Sequence, residues 1–128
     1  MTDSVGSEVP LAERVRQAFE DHDLEAFGEL LADDVTWGDI NTERGCRNST
    51  EVLATFERIL DKGIDGFVTE VKTGRKGILC GLSVTWPSGT PDEGNTGLFH
   101  VYMVKDNRIF QIRRFDDRIS AAKAAGLV

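Results

Sequence analysis

At Gly66 the hydrophobic period of this chain changes, and that change limits the available folds more than any single motif. Before it, apolar residues recur at helical spacing: Leu11, Val15, Ala18 and Phe19, then Phe27, Leu30 and Leu31, then Val52, Phe56, Ile59 and Leu60. After it they alternate, most clearly in "ILCGLSVTW" (78–86), where Ile78, Cys80, Leu82, Val84 and Trp86 share one side of a strand. Helices gathered before strands, rather than interleaved with them, imply an α+β architecture with helices packed on one face of an antiparallel sheet.

Local signals place the boundaries. Pro10 suits the first turn of the first helix, and Asp23 can cap a short second one. Asn48 with Glu51 three positions on has the form of a capping box, and Gly63 suits the stop of the third helix. One strand, about 35–40, is expected between the second and third helices, followed by a loop at 41–47. The later strands are expected at 67–73, 78–86, 98–104 and 108–115, with the Asp106-Asn107 pair of "KDN" turning the last hairpin. The stretch "PSGTPDEGNTG" (87–97) reads as a long loop, either a lid over a pocket or a solvated connection. "DDRISAAKAAGLV" can form a terminal helix capped by Asp116 or Asp117. Residues 1–8 are polar and patternless and are expected to fray, leaving 9–128 as one domain.

A net charge of −7 across 128 residues argues against nucleic acid or an anionic membrane as partner, because both require clustered Lys and Arg. No apolar run approaches the roughly 18 to 20 residues that span a bilayer, so a cytoplasmic location is expected. Cys46 and Cys80 lack CxxC spacing and read as free thiols, Cys80 in the core. With only His22 and His100 in addition, neither in a ligand-like spacing, no metal and no cofactor is expected.

One residue is out of place in this pattern. If strand alternation runs through "VTWGD", Val35, Trp37 and Asp39 share the apolar side. A carboxylate there costs free energy unless it is hydrogen-bonded, protonated or put to use, with Trp37 as the wall that would desolvate it and raise its pKa. An Asx turn bracing the following loop is the structural alternative.

The element order, "DLEAFGELLADDVTWGD" after the first helix and "VKDNRIFQIRRFDDR" near the end together resemble the nuclear transport factor 2-like (NTF2-like) superfamily. Within it the likeness is to the SnoaL-like group of polyketide cyclases, ketosteroid isomerases and limonene epoxide hydrolases, over roughly residues 9–126. The resemblance implies a cone-shaped fold, a curved antiparallel sheet with three helices on its concave face, enclosing an apolar pocket. It also puts Asp39 where ketosteroid isomerases keep their catalytic base. It puts Val15 in place of their oxyanion tyrosine, and Phe99 in place of their protonated acid. Arg114, ahead of Phe115, stands where the epoxide hydrolases carry an aspartate.

The pocket is then expected to be lined by Val15, Trp37, Phe56, Phe99, Val101, Met103, Phe110 and Ile112, with Asp39 and Arg114 as the catalytic pair, a surface pairing of Arg114 with Asp116 or Glu93 being the alternative. By the same likeness His100 belongs on the outer face or at a dimer interface; facing inward, it would be a catalytic acid or base. Ile109 and Phe115 would lie exposed on that face, which implies a homodimer to cover them. Two functions stay open. One is a cofactor-independent isomerase, cyclase, hydratase or hydrolase acting on a small hydrophobic, oxygen-bearing metabolite. The other is a non-catalytic SnoaL-like module for ligand binding or dimerisation.

Overall fold

The structure, a computed structural model, describes residues 10–38, 45–89 and 94–127. Among these the chain runs α1 (Leu11–Glu20), α2 (Leu24–Glu29), β1 (Leu31–Trp37), α3 (Ser49–Asp61), β2 (Asp65–Thr73), β3 (Gly77–Trp86), β4 (Gly94–Lys105), β5 (Arg108–Phe115) and α4 (Arg118–Ala125). The five strands form one curved, open sheet in the order β1-β5-β4-β3-β2. Three of the four neighbouring pairs are antiparallel and the fourth, β1 with β5, is parallel, so the sheet is mixed rather than antiparallel throughout.

The helix ends follow the capping chemistry of their residues. The Asp23 carboxylate accepts the Ala26 amide at 3.0 Å, and Asn48 accepts the Glu51 amide at 2.8 Å. Glu51 returns its carboxylate to the Arg47 amide at 2.7 Å, one residue earlier than the usual box partner. Asp117, not Asp116, caps α4 through Ser120, and Gly126 closes it in the left-handed conformation at φ 81°. Asp106 and Asn107 both take positive φ, the conformation a two-residue hairpin demands.

The boundaries of β1 and β4 differ from the sequence expectation. β1 begins at Leu31, because Leu31 pairs with Ile109 and is itself buried. It ends at Trp37, since Gly38 turns to φ 77°. β4 begins at Gly94, inside the stretch expected as loop, because pairing with β3 continues as far as Trp86 opposite Gly94.

Both faces of the sheet are covered. On one, α1, α2 and α3 enclose a core that includes Val15, Phe27, Val35, Phe56, Cys80, Tyr102, Ile109 and Ile112. On the other, α4 lays Ala121 and Ala125 over Leu79 and Val101, with Phe99, Met103 and Phe115 packed around them. The fourth helix therefore covers part of the face opposite the other three. Its end is held close: the amides of Arg75 and Lys76, in the β2–β3 turn, bond the carbonyls of Gly126 and Ala125 at 3.3 and 2.9 Å. A side chain at Gly74 would run into the Ala125 carbonyl oxygen, so only glycine permits that approach.

A bulge resets the parity of β5. Tyr102 pairs with Ile112 and Met103 with Gln111, but Val104 pairs with Ile109, so Phe110 is the extra residue. As a result Ile109 joins Ile112 on the helix-covered face, fully buried rather than exposed as expected. Phe115 is half-buried against the α4 cluster. Of the two residues whose exposure implied a homodimer, Ile109 is buried and Phe115 half-buried within the chain, while Phe67 and Ile119 stay exposed.

Candidate functional site

On the three-helix side lies a cavity of about 210 Å³. Its walls are built from short-range contacts between aromatic rings supplied by different elements. Phe19 of α1 meets Phe27 of α2 edge-on at 5.3 Å, and both meet Phe56 of α3 at 5.7 and 5.2 Å. Trp37, at the end of β1, stacks on Phe56 at 4.7 Å. The sheet contributes Leu82, Val84 and Trp86 from β3 and Leu98 and His100 from β4.

Trp37 is fixed from its backbone. It exchanges two hydrogen bonds with Cys46, at 3.0 and 2.8 Å, which ties the end of β1 to the start of α3. The buried Cys46 thiol lies 3.4 Å from the Thr55 hydroxyl, and both cysteines are free.

Charge is confined to the cavity's solvent side. His22, Asp23 and Arg114 all line it. His22 pairs with Asp65 at 3.1 Å, and Asp23 is committed to capping α2. The Arg114 side chain is 57% exposed and reaches Asp116 at 3.4 Å. Among the described residues, no group of three His, Cys, Asp or Glu side chains is arranged to hold a metal ion.

Within the wall sits a short polar chain. His100 is 6% exposed, and its Nδ1 lies 3.0 Å from the hydroxyl of fully buried Tyr102, with the buried Cys80 thiol as a further neighbour of that phenol. Cys80 stands directly opposite His100 across the β3–β4 ladder, and Tyr102 stands two residues further along the same face. Trp37 meets the His100 ring edge-on at 5.6 Å. Burial, helped by the Arg114 guanidinium on the neighbouring strand, lowers the His100 pKa to about 4, so the imidazole is neutral near pH 7. Burial likewise pushes the Cys80 thiol up to about 12 and raises the Tyr102 phenol well above its usual value.

The residues expected at the site fall into three groups. Trp37, Phe56 and Arg114 border the cavity. Val15 and Ile112 are buried in the surrounding core without lining it. Phe99, Val101 and Met103 lie on the opposite face, against α4, and Phe110 is bulged out and 38% exposed. These four are corrections to the expected pocket. They follow from strand parity: in β4 it is Leu98, His100 and Tyr102 that face the three helices. Asp39 lies outside the described residues, as do Glu93 and the tail at 1–8. The positive φ of Gly38 ends the alternation that was extended from Trp37 to Asp39.

Sequence reasoning gave His100 a role in the site only if it faced inward, and missed Phe19, Phe27 and Trp86. Phe19, Phe27 and Trp86 were legible as inward-facing, but nothing in their spacing distinguishes a cavity wall from a filled core.

No protein-family profile matches this chain, and no curated protein matches it in sequence. Solved structures do. A candidate ketosteroid isomerase from Kribbella flavida superposes with a TM-score of 0.67 at 16% identity, covering 84% of this chain and 76% of its own. A candidate polyketide cyclase from Sinorhizobium meliloti gives 0.65 at 16% identity, with 84% and 96% covered. An LEH-like epoxide hydrolase from M. tuberculosis gives 0.62 at 17% identity, with 90% and 86% covered. The chain therefore shares an NTF2-like fold with these structures.

Proposed function

We propose that the cavity binds a small, mostly apolar, oxygen-bearing metabolite, and that the protein performs cofactor-independent proton-transfer chemistry on it. The observation that carries this is a cavity of about 210 Å³ walled by Phe19, Phe27, Trp37 and Phe56, with a neutral, hydrogen-bonded His100 set into the wall. Apolar walls supply the driving force for binding, and a few fixed polar groups orient the ligand. The size favours a compact molecule over a large polycyclic one. Polyketide cyclisation, ketosteroid isomerisation and epoxide hydrolysis, the activities named for the structural neighbours, mark out the range of chemistry. All three move a proton or activate water at a carbon bearing or adjoining oxygen.

Asp39 takes the part of general base in this reading, on the resemblance of its sequence position to that of the ketosteroid isomerase base. Arg114, at the solvent side, would stabilise charge developing on the ligand oxygen. Two departures shape the reaction. Val15 stands in the core where ketosteroid isomerases place a tyrosine, and the inward polar residue of β4 is His100 rather than an acid. An oxyanion site here would thus be built differently.

Val15 also favours a second reading, a ligand-binding module without catalysis. The two separate on one experiment: screening the protein and Asp39→Asn against enolisable ketones and epoxides. Turnover that falls by two or more orders of magnitude in the variant supports the enzyme, in line with the roughly 10²- to 10⁴-fold worth of a general base. Tight ligand binding by both proteins with no turnover establishes the binding module.

A further inference from the structure

The chain from Cys80 through Tyr102 to His100 has a direction. A thiol is a weak donor and a weaker acceptor, whereas an imidazole nitrogen is a good acceptor for a phenol O–H. The stable arrangement has the Tyr102 O–H donating to His100 Nδ1, at 3.0 Å, with the Cys80 thiol left as a neighbour of the Tyr102 oxygen. The reverse arrangement would spend the phenol proton on sulfur. With Nδ1 accepting, the single proton of a neutral imidazole must sit on Nε2, the remaining polar atom of a ring that lines the cavity.

We propose that His100, oriented by Tyr102 and Cys80, presents its Nε2–H to the cavity as the hydrogen-bond donor for an oxygen acceptor on the ligand. This rests on the cavity being a ligand site, as argued above, and names the ligand class more narrowly. The acceptor is a ketone, ester or aldehyde carbonyl, an epoxide oxygen, or an enol or phenol oxygen on an otherwise apolar body. A free carboxylate is disfavoured, since burying its full charge beside aromatic walls needs a matching cation, and Arg114 lies at the solvent side with Asp116 beside it. Tyr102 is then a positioning residue: it touches no ligand, and acts by fixing the tautomer of His100.

Two measurements decide this. The first is the nitrogen NMR signature of His100 in the unliganded protein at pH 7. Protonation at Nε2 is expected, turning into a mixture of tautomers in Tyr102→Phe; protonation at Nδ1 overturns the proposal whatever the binding data show. The second is titration with naphthalene and 2-naphthol, followed by quenching of Trp37 and Trp86. Both should bind the native protein, 2-naphthol roughly three- to tenfold more tightly, which is the worth of one hydrogen bond. In His100→Phe that preference should disappear while naphthalene still binds. Equal affinities for the two probes in the native protein would overturn the role of His100 and leave the cavity as a binding site. Failure of both probes to bind would overturn the site itself. Should His100→Phe not fold, the NMR signature and the native probe comparison still decide.

Discussion

The two faces of the sheet are packed by opposite means. On the three-helix side large rings from α1, α2, α3 and β1 lean together at 4.7 to 5.7 Å and leave a hollow. On the other side the small residues Ala121 and Ala125 let α4 lie close on Leu79 and Val101. Big rings meeting edge-on cannot fill space as alanines and branched aliphatics do, so the same strands carry a hollow core and a filled one. The polar chain belongs to the hollow side, and the close backbone approaches to the filled one.

Removing volume from the filled side tests this contrast most severely. Leu79→Ala should cost about 4 kcal/mol in urea-induced unfolding, because the surrounding backbone cannot collapse into the gap. Phe56→Leu, which only enlarges a hollow already present, should cost less than half as much. Similar losses for both would erase the distinction.

Acid acts on the hollow side. Unfolded, His100 titrates near 6.5; folded, near 4. The unfolded chain thus binds a proton first as pH falls, so this stabilising difference is complete above about 6.5 and is lost on descent to about 4. The loss is on the order of 3 kcal/mol, read as a falling urea midpoint between pH 7 and 4. His100→Phe should flatten that slope. Arg114, which faces His100 from β5, remains charged throughout the range and sustains the depressed value.

Gly74→Ala sharpens the other half of the comparison. Its new methyl meets the Ala125 carbonyl, a backbone atom with little room to move, and should cost about 2 kcal/mol by thermal unfolding. The smallest effect is expected at the rim of the filled side. Arg118 holds Glu70 through two hydrogen bonds, at 2.8 and 3.2 Å, and lowers the Glu70 pKa, but both groups meet solvent. Glu70→Gln should move the unfolding midpoint only slightly, and less still in high salt.

Helix and strand identities were legible in the sequence because the first half of the chain repeats at helical spacing and the second half alternates. The facing of β4 was not. Leu98, His100 and Tyr102 on one side and Phe99, Val101 and Met103 on the other are both turned away from water, since helices pack on both sides, and alternation informs only when one side meets water. The bulge at Phe110 hid the facing of Ile109 for a related reason: one inserted residue inverts parity without any change in composition. Asp39 was singled out by a periodicity that Gly38 interrupts. The parallel partnership of β1 and β5 depends on residues more than seventy positions apart, and no local pattern encodes it.

Because α4 and the strands beneath it form a filled core of their own, the cavity-lining residues of α1, α2 and α3 do not carry the fold alone. A keel of this kind allows the other side to drift. Substitutions that reshape the hollow spend stability against a reserve held elsewhere in the chain, so one scaffold can be re-fitted to successive ligands without first being re-invented as a fold.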